Sequence, residues 1–363
     1  MSKIKSGKST KILILAPYPH GQVASQRFRF EQYIPYLHKD EYIFKQKSFY
    51  SIRTWTILYQ NGHIFSKVTG TISGYLKRIL HTFQALSYNY ILIHREVTPA
   101  GPPWFEFIIS RIFRKKVIYD FDDAIWLPNT TETNRVISGL KWHDKVKSIC
   151  RWSCTVSCGN EFLREYSLRF NRNTQLIPTT IDTENYHNRI KNQDSQSVVI
   201  GWTGTHSTVK YLKIILPALR KLKRKKEFEF LVICDKDPAL DDFAYKFKKW
   251  KKSSEITDLL EINIGIMPLT DEEWSKGKCG FKALQFMSLG IPVLVSPVGV
   301  NKDIVDHDQN GYHCHTDEDW ITNADKLIDD PPLRTKLGMH GRDKVKTQYS
   351  TRTNLPRFLA LFE

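Results

Sequence analysis

The sequence predicts an α/β protein of two doubly wound domains. Three observations lead there. Apolar, strand-like runs alternate with helix-patterned segments along most of the chain. The alternation stops at a polar, patternless stretch, "TENYHNRIKNQDSQ" (183–196), and then restarts. And 363 residues suffice for two domains of ordinary size.

In the first half "KILILAP" reads as a strand, followed by the helix "RFEQYIPYLHK", which tolerates Pro35 poorly. "YIFKQKSFY" is a strand and "TISGYLKRILHTFQALS" (71–87) a helix with apolar residues near helical spacing. Then follow strand "YILIHRE", helix "WFEFIISRIFR", strand "KKVIYDFDDA", helix "HDKVKSICRW", strand "SCTVSC", helix "NEFLREYSLRF" and strand "TQLIPT". Apolar strands joined by helices imply right-handed crossovers and a parallel sheet. The second half opens on "SVVIGWTG", a strand running into a Gly turn. "VKYLKIILPALRKLKRK" is a helix kinked at Pro217, "FEFLVICD" a strand, "FAYKFKKWKK" a helix and "EINIGIMPL" a strand. A short helix near 281–288, the strand "IPVLVSP" and two further helices, "DEDWITNADKLIDD" and "PLRTKLGMHGRDKVKTQY", complete it. The expected domains are 1–185 and 196–345, with 183–196 as linker.

Composition limits the classes. Hydrophobic content of 41% supports sizeable cores, and 25% charged residues is ordinary for a soluble chain. No stretch approaches the roughly 18 uncharged apolar residues of a membrane span. The basic lead before "ILILA" precedes too short an apolar run for a signal peptide, so a cytoplasmic location is expected. Six cysteines without an export signal are expected to be reduced, buried thiols. No CxxC pair exists, and "CTVSC" alternates like a strand, which would put Cys154 and Cys158 on one face. Lys and Arg number 54 against 38 Asp and Glu, a net charge of +16. That field favours polyanionic partners: nucleic acid, an anionic membrane surface or phosphorylated substrates. Neither aromatic–basic interleaving nor helix-turn-helix spacing supports nucleic acid.

Ligands of such sheets bind beyond the carboxyl ends of the strands, so the loops there carry the candidates. "APYPHGQVASQRFRF" (16–30) contains Gly21, able to let a ligand approach closely, with Arg27 and Arg29 expected at the start of the next helix. "GWTGTHSTVKYL" (201–212) presents Gly201, Thr203, Gly204 and Thr205 ahead of a helix bearing Lys210. This resembles a phosphate-cradling helix start, although GxxxxGK[ST] and GxGxxG are both absent. In "SKGKCGFKALQFMSLGIPVLVSPVG" (275–299), helical spacing aligns Lys278, Lys282 and Gln285. Lysines at a helix N-terminus oppose the macrodipole by a few tenths to about 1 kcal/mol each, a penalty that an anion such as a diphosphate removes. "YDFDDAIW" (119–126) ends a strand with three carboxylates. They can bind a metal, supply a base, or cap and pair with arginines, and alternation would put Asp120 and Asp122 on one side and Asp123 on the other. His94, Arg95 and Glu96 leave another strand into a Gly/Pro loop, and "PTTID" (178–182) leaves the last strand before the linker.

Taken together, "KCGFKALQFMSLGIPVLVSPVGVNKDIVDHDQNGY", "VSCGNEFLREY", "LIPTTIDTENY", "VIGWTGTHSTVKYL" and "LRTKLGMHGRDKVKTQYS" resemble the family 4 glycosyltransferases, in a subgroup with a "GKCGFK" donor loop. The resemblance covers almost the whole chain. It implies the GT-B fold, two Rossmann-like domains facing a cleft, with a last helix (346–363) crossing back to the first domain. It implies sugar transfer from a nucleoside-diphosphate donor with retention and no metal or other cofactor. Carried over, donor contacts fall on Gly21, Gly201, Thr203, Gly204, Thr205, Lys210, Lys278, Cys279, Gly280, Phe281, Lys282 and Gln285. The family's Glu-x7-Glu is absent: Gly277 and Gln285 stand in its places. Gln285 can share the ribose contact, while Lys278 and the 279–281 backbone replace the sugar contact. Asp122, Asp120 and Lys282 are the expected catalytic groups, and Arg27, Arg29, His94, Arg95 and Glu96 the acceptor side. The expected acceptor is a saccharide or lipid-linked saccharide of cell-surface polysaccharide or lipopolysaccharide synthesis, with the chain peripheral at the inner face of the cell membrane. Two alternatives stay open: a nucleotide-sugar epimerase of the same fold, and a non-catalytic polyanion-binding protein.

Overall fold

In the computed structural model, which describes residues 9–37, 41–128, 142–195, 197–240 and 242–363, the two alternations become two parallel sheets. The first contains β1 (Thr10–Ala16), β2 (Tyr42–Ser48), β3 (Tyr90–His94), β4 (Lys116–Phe121), β5 (Thr155–Cys158) and β6 (Thr174–Leu176), in the order β2-β1-β3-β4-β5-β6. The second contains β7 (Val199–Thr203), β8 (Glu229–Cys234), β9 (Lys246–Lys249), β10 (Ile264–Met267), β11 (Val293–Val295) and β12 (Gly311–His313), in the order β12-β11-β10-β7-β8-β9. Each order reverses direction once, between β1 and β3 and between β7 and β10. The carboxyl ends of those strands are where crevices open in doubly wound folds.

The chain divides into two units, one running to Pro178 and including Leu355–Glu363, the other Thr179–Asn354. Central strands are buried on both faces, as Ile12, Leu13, Ile14 and Leu15 are in β1, which is why they read as unbroken apolar runs. Phe358, Leu361 and Phe362 are buried in the first unit's core beside Tyr33, Leu92 and Ile118. Fully burying side chains of this size stabilises by roughly 1.5–3 kcal/mol each, so the segment is a working part of that core.

Several expectations need correction. Residues 243–252 do not form a helix; Lys246–Lys249 is the edge strand β9. Phe243, Tyr245 and Phe247 alternate at period two and pack on the second core, while the lysines line an open edge, where charge discourages pairing with another chain. The helix expected at 71–87 starts earlier and spans Ile64–Gln84. Arg27 and Arg29 lie in the last turn of the helix Ala24–Arg29, where the dipole favours them. Pro35 is accommodated in a 3-10 turn, Glu31–Tyr36; the expected continuation to 38–39 lies outside the described residues, as does the basic lead at 1–8. Segment 183–196, expected as the linker, falls within the second unit, which begins at Thr179, and His187 and Gln193 are buried there. Five of the six thiols are buried as expected, but Cys154 is exposed and donates to the Val117 carbonyl, whereas Cys150 and Cys158 both approach Ser167 Oγ.

Candidate functional site

The second unit's candidate site forms where β7 and β10 diverge. β7 ends at Thr203 and the chain turns at Gly204, where a Cβ would lie 2.4 Å from the Trp202 ring and 2.7 Å from Thr208 Oγ1. Thr205 and Thr208 then close a reciprocal capping box around the 3-10 turn His206–Thr208. Gly201, expected in the loop, lies inside β7 instead; its missing Cβ makes room for Ile262, 2.3 Å from where that atom would be. It is a packing glycine. Thr203 is buried at the strand end.

Facing this turn is the helix Phe281–Ser288. Gly280 precedes it at φ +66°, and a Cβ there would come within 2.1 Å of Ile304 Cδ1. Only glycine meets both conditions, so Gly280→Ala is expected to cost about 2–4 kcal/mol, combining left-handed strain and overpacking. Gly62, at φ +74° with open space around it, is the matched control and should cost only the strain of about 1–2 kcal/mol in denaturant unfolding.

Lys282 Nζ stands 3.3 Å from Thr208 Oγ1 and 4.6 Å from the centre of the Trp202 ring. Burial, with the charge of Lys278 added, pushes its ammonium down to about 7 from an ordinary 10.5. Among the described residues no carboxylate pairs with it. Lys278 lies in the loop before the helix, not on its face, and reaches over the Trp274 ring at 5.1 Å. The two lysines are therefore electrostatic neighbours without being helical ones. Cys279 and Gly280 between them are buried, and Phe281 is half-buried. Gln285 is buried and donates from Nε2 to Glu255 Oε1 at 3.3 Å. Glu255 also accepts from Trp250 Nε1 (3.2 Å) and from the Tyr186 hydroxyl (2.8 Å). Sequence reasoning missed Glu255. It lies 30 residues from Gln285, and no local pattern marks it. Lys210, offered as a diphosphate contact, pairs with Glu272 at 3.5 Å and covers the Tyr211 ring. Its charge is already answered there. Burial tends to raise the Glu272 carboxyl, but the Tyr211 hydroxyl and Lys210 hold it below its ordinary value.

The first unit gathers a different set at the ends of β1, β3 and β4. Asp120 is 5% exposed and accepts four hydrogen bonds. Arg29 donates to both its oxygens, Ser157 Oγ to Oδ1 at 2.8 Å and His94 Nδ1 to Oδ2 at 2.8 Å. Burial would raise its pKa; Arg29 and His94 outweigh burial and hold the carboxyl well below the usual range. His94 is wholly buried, with Nε2 3.4 Å from Ser25 Oγ and its ring edge-on to Phe30. Asp122 does not join Asp120, because the strand ends at Phe121 and alternation ends with it. Asp122 and Asp123 turn together to Arg95, at 3.7 and 3.0 Å. Burial raises the Asp122 carboxyl, opposed by Arg95 and reinforced by Asp123. Arg95 holds a left-handed φ of +61°, unusual for a side chain of this size. Glu96 pairs with Lys145 at 2.7 Å. Gly21, at φ +74°, donates its N–H to buried Glu31, and Arg27 is buried over the Phe28 ring.

Residues 197–330 match the family model of glycosyl transferases group 1, a stretch lying within the second unit. Sequence comparison with curated proteins finds no match. Among solved structures, the sucrose-phosphate synthase of Thermosynechococcus elongatus is similar over 98% of both chains, at TM-score 0.71 and 13% identity. Anabaena HepE, solved in complex with UDP and glucose, covers 97% of this chain and 98% of its own, at TM-score 0.68 and 14% identity. A glycosyltransferase from Rickettsia africae is similar over 98% of both chains, at TM-score 0.66 and 13% identity. At these identities the likeness shows the fold: this is a GT-B protein of two Rossmann-like domains. With the sequence match in the second unit, it supports the glycosyltransferase class.

Proposed function

We propose that the chain is a retaining glycosyltransferase that moves a sugar from a nucleoside-diphosphate donor to a saccharide or lipid-linked saccharide. The observation that carries this reading is Lys282, a half-buried ammonium over the Trp202 ring beside Thr208 at the start of a helix, with no carboxylate partner among the described residues. Such a group is costly unless an anion completes it. A donor diphosphate would accept from Lys282, from Lys278 and from the backbone N–H groups after Gly280. As the bond to the sugar breaks, the charge growing on the leaving phosphate meets donors already in place, and the reaction needs no metal to hold it. Glu255, holding the Gln285 amide, leaves Gln285 Oε1 as an acceptor for ribose hydroxyls. Glu255 thereby offsets the missing glutamates from elsewhere in the chain. The nucleotide in HepE is UDP, and in a similar plant starch synthase it is ADP, so both bases are tested.

On the acceptor side, Asp122, with its raised pKa, is proposed to take the proton of the attacking hydroxyl. Asp120 is proposed as a positioning residue, since its four hydrogen bonds leave it no lone pair to spare. The expected setting is cell-surface polysaccharide or lipopolysaccharide synthesis.

The test is a thermal-shift screen of nucleoside diphosphates and their sugars on the parent chain and Lys282→Ala. One donor should raise the melting temperature of the parent and shift the variant much less, as ligand saturation stabilises the form that binds it. Incubating that donor with and without saccharide acceptors then reads the chemistry. Acceptor-dependent release of nucleoside diphosphate supports transfer; free sugar or an isomer from donor alone would make the chain an epimerase. No shift with any nucleotide, alongside binding to nucleic acid with a steep salt slope, would make it a polyanion binder.

A further inference from the structure

The helix Ile64–Gln84 is turned inside out. Phe65, Val68, Ile72, Leu76, Leu80 and Phe83 recur at helical spacing and fall on an arc of roughly 120° at about 100° per residue. An apolar stripe of this kind ordinarily faces a core. Here it faces away from the protein: Phe65 is 81% exposed, Leu80 63%, Phe83 61% and Leu76 60%. The opposite side, which does pack on the first unit, is small and polar. Gly70 and Gly74 bring the helix against Thr54 and Phe49, where added Cβ atoms would lie within 2.5 and 2.6 Å. Arg78, wholly buried, donates to the carbonyls of Ala16, Lys47 and Val97, at 2.6, 2.9 and 2.8 Å. These contacts fix the rotation of the helix, so its apolar side cannot turn inward.

The charge around the stripe selects what covers it. From Tyr42 to Arg95 the chain contains no Asp or Glu and has Lys or Arg at seven positions. On this helix Lys77 is exposed on the side of the stripe, whereas Lys67 lies toward the packed side and donates from Nζ to the Gln60 carbonyl. Exposed Trp104 (66%) and Ile112 lie on the segments that follow β3, and Arg111, Arg114 and Lys115 accompany them. A second copy meeting this face about a two-fold axis would set these cations against themselves. An apolar stripe with basic flanks and no acid matches the boundary between headgroups and acyl chains of an anionic bilayer. No described helix is long and apolar enough to cross a membrane, which leaves insertion in the plane.

We propose that Ile64–Gln84 is an interfacial membrane-docking helix, seating its apolar face in an anionic phospholipid bilayer. Arg78 ties its inner side to the carboxyl ends of β1 and β2 and to the loop after β3, which carries Arg95 and Glu96. The proposal goes beyond the transfer reaction and does not require it, although it would bring a lipid-linked acceptor to those loops.

The experiment is flotation of the full chain with vesicles of phosphatidylglycerol and phosphatidylcholine, against phosphatidylcholine alone. The parent should float with the anionic vesicles, and Leu76→Asp with Leu80→Asp should lower partitioning at least about tenfold. Lys77→Glu with Arg114→Glu should weaken binding chiefly at low salt. Unchanged melting temperature of the aspartate variant shows that it folds, and any nucleotide-induced shift should persist in it, which separates docking from donor binding. Absence of parent binding, or equal binding by the aspartate variant, overturns the proposal. So does a parent dimer in vesicle-free buffer that the aspartates dissociate, because the face would then belong to a second copy.

Discussion

Lys282→Ala should abolish most donor affinity, and Lys282→Arg should keep the affinity while removing its dependence on pH. The basis is an ammonium that titrates near 7 before the ligand arrives. A nucleoside-diphosphate sugar keeps both phosphates ionised throughout, so Lys282 is the group that changes. Below pH 7 the site is already charged and the diphosphate meets a cation. Above it, binding must also draw a proton from solvent. Affinity should therefore fall by up to about tenfold per pH unit above 7, until the raised pKa of the complex is reached. Arginine stays charged throughout and should flatten the profile. Titration calorimetry at pH 6.5, 7.5 and 8.5, in buffers of different ionisation enthalpy, reads both affinity and proton uptake. A parent profile as flat as the arginine variant's would show that Lys282 does not meet the phosphates.

Asp120→Asn should be the most destabilising single change in the first unit. It leaves Arg29, itself 2% exposed, without its counter-charge. Breaking a buried pair from one side costs about 3–5 kcal/mol, or roughly 10 °C in a unit of this size. The pH dependence follows from the depressed Asp120 pKa. A carboxyl lowered in the folded state contributes its full stability above its unfolded pKa, about 3.9, and loses it as pH falls from there toward the folded value. The parent should thus lose stability below about pH 4 more steeply than the variant. Adding Arg29→Met should restore part of the loss, since the two changes share one interaction. Chemical unfolding of the four proteins of that cycle measures the coupling; additive losses would mean that the pair is not linked.

The sheets were legible because buried parallel strands are continuous apolar runs, as "KILILA" and "FLVIC" are. Residues 243–252 read as a helix because lysines between the aromatic residues also suit one, and only the two-residue repeat of Phe243, Tyr245 and Phe247 betrays the strand. At the candidate site, the glycines and lysines of 275–282 stood out, since left-handed turns and cations at a helix start leave local marks. Gly201 did not declare which kind of glycine it was: close packing on Ile262 and close approach to a ligand ask for the same residue. Glu255 and the Asp120–Arg29–His94 cluster depend on contacts across 26 to 91 residues, which no window sees. Periodicity in 64–84 revealed an apolar stripe but not its direction. That depended on Gly70, Gly74 and Arg78 fitting the other side.

The first unit's core closes only when Phe358, Leu361 and Phe362 arrive. During synthesis those residues follow Pro178 by about 180 positions, on the order of 10–35 s at the usual pace of translation. Through that interval, in which the second unit is itself being made, a nascent chain holds β1 and Tyr33 uncovered on one side. The newborn protein is thus a natural client for a chaperone that shields apolar surface, and losing a few residues at 358–362 would extend that dependence indefinitely.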